Sequence, residues 1–187
     1  MDAVERARRN AERAALAQVH GGPPSVNMWL QAAHHGDTAT LQEMLSRGAA
    51  IEASDSARYT ALIAAASNGQ VAAAAILVDN GADIEAATYD GLTALIKAVQ
   101  SENRAMVEML ISKGASVENS CNRGWTPLIH AMKENLDTDV AELLLNSGAN
   151  VNAVDNKGKT ALKRAGMRMM SKKKMSEFLL ARGATPL

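Results

Sequence analysis

Short blocks of small and branched apolar residues recur along the chain at a fixed spacing. A threonine, a small residue and two apolar residues open the blocks at Thr60, Thr93 and Thr126, and a related block opens at Thr160. The first three threonines are 33 residues apart, and the last interval is 34. A threonine hydroxyl caps a helix start, and proline, here Pro127, fits the first helical position. Each block therefore predicts the beginning of a helix.

A second signal keeps the same spacing. Five Gly-Ala pairs recur with the threonine blocks, and two independent motifs at one period indicate five copies of an internal repeat. A single copy cannot bury its apolar face, so stability is expected from neighbouring copies that stack in a line. The pairs are Gly48-Ala49, Gly81-Ala82, Gly114-Ala115, Gly148-Ala149 and Gly183-Ala184.

Together these motifs resemble the ankyrin repeat family. Its units begin a helix with a Thr-Pro-Leu-His-like stretch, end one at Leu-Leu-x-x-Gly-Ala and continue into a hairpin. The resemblance covers roughly residues 27–187. It implies an all-α repeat solenoid of stacked helix-turn-helix repeats linked by β-hairpin-like loops. The family's histidine position holds Ile63, Ile96, Ile129 and Lys163, which does not change the expected fold.

The predicted organisation has two parts. Residues 2–19 are expected to form an extra N-terminal helix, which is either a lid on the first repeat or a segment held by a partner. Glycines and prolines at positions 21–24 end this helix. The predicted domains are residues 1–25, an N-terminal helix and linker, and residues 26–187, an ankyrin repeat domain. Its five repeats are expected at about residues 27–55, 56–88, 89–121, 122–155 and 156–187.

Charge is balanced over the whole chain but not along it. Twenty basic and twenty acidic residues cancel, which argues against a nucleic-acid or membrane-surface partner. Residues 26–154 hold fifteen Asp/Glu against seven Lys/Arg, whereas residues 155–187 hold nine Lys/Arg against two Asp/Glu. This asymmetry would orient the molecule toward a charged partner. The alternative is that the lysines simply keep the last repeat soluble.

The sequence contains no motif for catalysis or for a cofactor. No phosphate-binding loop, paired carboxylates, zinc motif or nucleophile elbow is found. The single cysteine, Cys121, excludes an intrachain disulfide and favours a reducing compartment. We expect a non-enzymatic cytoplasmic protein without metal or cofactor and without a membrane-spanning segment, with organelle import left open. An alternative is a metal or small-ligand site that uses His34, His35 and His130.

The resemblance implies a binding groove formed by the hairpin tips and the ends of the first helices. Three of the five aromatic residues, Tyr59, Tyr89 and Trp125, fall on it. Such residues often contribute about 2 kcal/mol or more each at the centre of an interface. The alternative for Tyr59 and Trp125 is that they shield the hairpin from water. The predicted partner-binding residues are Tyr59, Ser67, Asn68, Tyr89, Asp90, Leu92, Gln100, Asn122, Arg123, Trp125, Lys133, Lys157 and Lys159.

The function implied by the resemblance is binding to another protein. We expect an adaptor or inhibitor whose groove is centred on Tyr89, Arg123 and Trp125, and which is a monomer alone or a subunit of a hetero-complex. The alternative is a structural subunit that braces a larger assembly.

Overall fold

Ten α-helices make up most of the described part of the chain. The computed structural model describes residues 25–134, 138–165 and 172–186. In these residues the helices follow one another as five pairs, each with a first and a second helix. They are α1 (Val26–His35), α2 (Thr38–Ser46), α3 (Ala61–Ser67), α4 (Val71–Asp79), α5 (Ala94–Gln100), α6 (Arg104–Ser112), α7 (Pro127–Glu134), α8 (Thr138–Asn146), α9 (Ala161–Ala165) and α10 (Lys172–Ala181).

Four of the first helices begin with the same threonine cap. The side-chain oxygens of these threonines each accept the backbone N–H three residues later at 3.3 Å, as Thr60 does from Ile63. All four threonines are buried, so each cap satisfies a donor that water does not reach. The predicted capping role is confirmed, and α7 begins at Pro127 as expected. The capping residues are Thr60, Thr93, Thr126 and Thr160.

The Gly-Ala pairs end the second helices. The five glycines have φ between 83° and 94°, the left-handed region in which glycine has no steric penalty. The following alanine donates its N–H to a carbonyl five residues earlier, as Ala82 does to Leu77 at 3.0 Å. This bond satisfies one of the free carbonyls at the helix end. The repeated pair is therefore a helix stop.

The chain divides into two compact units, one ending at Tyr89 and the other beginning at Asp90. In the first unit, α1 packs on α3 and α2 packs on α4, and each first helix contacts its own second helix. In the second unit, α5, α7 and α9 form one layer, while α6 and α8 pack together beside it and α10 packs on α9. The predicted class, an all-α repeat fold of stacked helix-turn-helix units, is confirmed.

The loops between the pairs are short hairpins. Two of them contain an isolated antiparallel bridge, Ser54 with Thr60 and Val154 with Thr160. In the second unit neighbouring loops lie very close together. A Cβ added at Gly124, which has φ 72°, would lie 2.7 Å from the backbone nitrogen of Asn156. Only glycine allows this approach.

Some of the predicted features lie outside the described residues. They include the N-terminal helix at residues 2–19 and the side chain of Lys133. Among the described helices, none combines the length and the apolar character needed to cross a membrane.

Candidate protein-binding surface

Two neighbouring concavities of the second unit share Asn122, Arg123 and Trp125. The smaller has a volume of about 140 Å³ and the larger a volume of about 400 Å³. Seven residues that the sequence predicts for the groove therefore lie on one side of this unit. They are Asp90, Leu92, Gln100, Asn122, Arg123, Trp125 and Lys157.

Trp125 lies at the centre of this surface but is only 6% exposed. Its indole N–H donates to Oδ2 of Asp155 at 3.2 Å, and its ring makes an edge contact with His130. The guanidinium carbons of Arg123 and Arg164 lie 5.3 Å and 4.7 Å from the ring centroid. The structure thus favours the shielding role that the sequence left open. Direct contact of Trp125 with a partner stays a prediction.

Asp155 holds the loop beneath this tryptophan. Its buried carboxylate accepts the backbone N–H groups of Lys157 and Lys159 on Oδ1, at 2.8 Å and 2.9 Å. Oδ2 accepts the Trp125 indole N–H and the guanidinium of Arg164. Burial alone would raise the pKa of Asp155, but the Lys159 N–H, Arg164 and the Lys157 N–H together lower this pKa to about 2. The aspartate is therefore ionised and internally neutralised.

His34, His35 and His130, the histidines that lie in the described ranges, contact neighbouring side chains. His130 is buried, and its Nδ1 lies 3.2 Å from Nε2 of Gln100. His34 contacts the Asn68 amide through Nδ1 at 2.9 Å and the ring of His35 edge-on. Within the described ranges, no three His, Cys, Asp or Glu side chains are placed to hold a metal ion.

The first unit presents an exposed aromatic ring. Tyr89 is 67% exposed, and its backbone N–H donates to the carbonyl of Ala57 at 3.2 Å. The guanidinium carbon of Arg58 lies 5.9 Å from the centroid of the Tyr89 ring. Tyr59 is half-buried, and its hydroxyl donates to Oγ of Ser67.

Arg58 has an unusual backbone conformation, with φ 60°. The three later loops have glycine at this position, namely Gly91, Gly124 and Gly158. A left-handed conformation costs a residue with a side chain about 1–2 kcal/mol. Strain of this kind is commonly found at functional sites.

The predicted residues differ in how far they are accessible to a partner. Asn68, Tyr89, Asp90, Asn122, Arg123 and Lys157 are exposed, whereas Tyr59, Ser67, Leu92, Gln100 and Lys159 are half-buried. The sequence prediction did not include Asp55, Arg58, Asp155 and Arg164. A signal for two of them was present, because among the loops after the first repeat only Asp55 and Asp155 place aspartate five residues before the capping threonine.

Comparison with known proteins adds a family match. A family model described as "Ankyrin repeats (3 copies)" matches residues 29–121 and 116–187, which together form most of the chain. Ankyrin repeats generally mediate protein–protein interactions and are typically non-catalytic. No curated protein matches the sequence.

Proposed function

Because the chain belongs to the ankyrin repeat family, we propose that it is a non-enzymatic module that binds a protein partner, as an adaptor or an inhibitor. The binding face is formed by the hairpin loops and first helices of each unit. The observation that carries this proposal is the pair formed by Arg58 and the exposed Tyr89 ring. The single Cys121 supports a reducing, cytoplasmic setting.

The Arg58–Tyr89 pair has the properties of an interface anchor. Tyrosine and arginine are enriched among the residues that dominate binding energies. The Tyr89 ring leaves two thirds of its surface open, and Arg58 accepts an unfavourable backbone conformation beside it. A partner that covers the Tyr89 ring would remove its apolar surface from water, which favours binding. It would also desolvate the Arg58 guanidinium, which strengthens the cation–π contact between Arg58 and Tyr89.

The Arg123 surface of the second unit supports the same function. Arg123 is exposed, yet its guanidinium lies over the buried Trp125 ring, and Asn122 beside it is exposed too. A side chain already held against a ring loses less conformational entropy when a partner binds. The two concavities beside it offer places for partner side chains.

The test is affinity purification from the native cell with the parent protein and the Tyr89→Ala and Arg123→Ala variants. Both changes affect exposed side chains, so thermal melts close to that of the parent are expected. Each variant should capture at least about tenfold less partner than the parent does. A tenfold decrease corresponds to the loss of a residue that contributes about 1.4 kcal/mol to binding. Trp125→Ala is unsuitable because this residue is buried.

Two exposed residues on second helices serve as matched controls. Leu180→Ala removes an apolar side chain that is 45% exposed on α10, and Glu108→Ala removes an exposed charge on α6. Both should capture the partner as the parent does. If instead both binding variants retain their partner with unchanged melts, the proposed face is wrong.

A further inference from the structure

Asp55 in the first unit and Asp155 in the second unit begin loops with the same hydrogen bonds. In each loop, Oδ1 of the aspartate accepts the N–H groups of the residues two and four positions later, at 2.8 Å and 2.9 Å. Each aspartate N–H also donates to the carbonyl of the fourth residue after it. The two backbones therefore place Oδ2 in equivalent positions.

The side chains around Oδ2 differ between the two loops. Oδ2 of Asp155 accepts the indole N–H of Trp125 and the guanidinium of Arg164. Within the described part of the chain, only Oδ1 of Asp55 accepts hydrogen bonds, and Oδ2 accepts none. Among the described residues, the Asp55 carboxylate therefore lacks the side-chain donors that neutralise the Asp155 carboxylate.

The repeat alignment explains this difference. Arg164 lies four residues after its capping threonine, and the residue four after Thr60 is Ala64. The repeat period aligns Trp125 with Val26, which is the first residue of α1 after its capping residue Ser25. Two large side chains are thus replaced by two small ones.

A cavity of about 510 Å³ is lined by both of these smaller residues. Val26, Ala64, Asp55 and Tyr59 are among the residues that line it, and Asp55 is the only acidic one. The cavity therefore combines one carboxylate, an apolar wall, the half-buried ring of Tyr59 and the polar side chains of Asn27, Gln31, His34 and Ser54.

We propose that this cavity binds an arginine side chain of the protein partner. Its guanidinium would contact Oδ2 of Asp55, and its stem would lie against Val26 and Ala64. Arginine suits the site because its planar group matches a carboxylate and also stacks on aromatic rings such as Tyr59. The Arg164–Asp155 pair shows this arrangement within the chain itself. That the arginine comes from a protein partner rests on the proposed function, whereas binding of an arginine side chain in the cavity does not.

The surrounding charge supports a basic partner. Residues 26–154, which include the cavity, carry eight more acidic than basic residues. A field of this sign attracts cationic segments and raises their local concentration.

The first experiment needs no partner. N-acetyl-L-arginine amide is titrated into the 15N-labelled full chain, and the amide signals of Ala57 and Tyr59, which bond to Asp55, are followed by NMR. The matched control probe is N-acetyl-L-citrulline amide, a neutral molecule of nearly the same shape. We expect saturable shifts and binding of arginine about fivefold tighter than citrulline, the effect of a partly exposed ion pair. Equal binding of the two probes would overturn the proposal.

Variants then locate the site. Asp55→Asn keeps an oxygen for the loop N–H groups but removes the charge, so the preference for arginine should disappear. Asp83→Asn is the matched control, because Asp83 accepts its own loop N–H from Glu85 in the same unit. It should bind as the parent does. A preference for arginine that survives Asp55→Asn would contradict the proposal.

A third variant fills the cavity with the side-chain types found around Asp155 in the second unit. The double variant Val26→Trp, Ala64→Arg should lose probe binding because its own arginine pairs with Asp55. If this variant folds and still binds the probe at these amides, the assignment of the cavity is wrong. If it does not fold, the Asp55→Asn comparison alone decides.

The last arm identifies the source of the arginine. Arg6, Arg8, Arg9 and Arg13 of this chain carry the same group. A full chain with all four replaced by glutamine should bind the probe like the parent; several-fold tighter binding would show that this segment competes, and would overturn the assignment to a partner. In affinity purification, Asp55→Asn should reduce partner capture several-fold and Asp83→Asn should not. Since the titration is partner-free, its result is independent of the Tyr89 and Arg123 tests.

Discussion

The Asp55 loop and the Asp155 loop have the same backbone hydrogen bonds, but the side chains that surround the two carboxylates differ. In both, an aspartate, a left-handed residue three positions later and a capping threonine organise the chain through bonds to the backbone. Around Asp155 the space is occupied by Trp125 and Arg164, whereas around Asp55 it is a cavity. The positions that hold the loop backbone are therefore different from the positions that decide which side chains surround the carboxylate. With Val26 and Ala64 in place of the two larger side chains, the Asp55 carboxylate lacks these donors within the described part of the chain.

The largest effect is expected from Trp125→Ala. The indole is buried, so its removal leaves a cavity and takes one donor from the Asp155 carboxylate. We expect the free energy of unfolding to fall by about 3–5 kcal/mol, measured by urea denaturation followed by circular dichroism. The equivalent change in the first unit, Val26→Ala, affects a side chain that is 41% exposed and should cost about 0.5 kcal/mol. If both variants lowered the free energy of unfolding by a similar amount, the proposed difference in packing around Asp155 and Asp55 would be wrong.

An intermediate effect is expected from acid. The pKa of Asp155 is about 2 in the folded protein, below the ordinary 3.8. A lowered folded pKa contributes stability above about pH 4, and this contribution is lost as the pH falls from about 4 towards 2. Its full size is about 2 kcal/mol.

The measurement is the difference in unfolding free energy between the parent and Asp155→Asn at several pH values. It should be constant above about pH 5 and shrink below pH 4. A carboxyl carbon NMR titration of Asp155 checks the pKa directly. A midpoint near 3.8 would show that Arg164 and the loop N–H groups do not hold the charge.

The smallest effect is expected from Arg58→Gly, which gives the first loop the residue found at Gly158. Relief of the left-handed strain is worth about 1–2 kcal/mol, but glycine loses about 0.5–1 kcal/mol through backbone entropy and the contact with Tyr89 disappears. We expect a net gain of about 0.5 kcal/mol in denaturation experiments, together with weaker capture of the partner. A variant that is more stable and binds equally well would argue that Arg58 has no role in recognition.

The parts of the fold that the sequence predicts well are those in which a side chain bonds to its own local backbone. Thr126 caps α7 and Gly148 ends α8 whatever the neighbouring repeats contain, so the 33-residue period is sufficient to find them. The burial of Trp125 depends instead on Asp155 and Arg164, which lie about 30 and 40 residues later, in the loop before α9 and in α9. An alignment of repeats places Trp125 on the groove side but does not show which later side chain covers it. The exposure of Tyr89 was predictable because the repeat period aligns it with Ser56 and Asn122 at the tips of neighbouring hairpins.

The loop backbones of the second unit are joined to one another. Asn122 donates its N–H to the Asp90 carbonyl at 2.9 Å, and Asn156 donates its N–H to the Arg123 carbonyl at 3.1 Å. A protein that binds at the proposed face would therefore contact a row of loops that are already hydrogen-bonded to one another. Little rearrangement has to precede docking, so collisions in the correct orientation are productive at the ordinary protein–protein association rate. On the proposed function, selection among competing partners would act mainly through the lifetime of each complex.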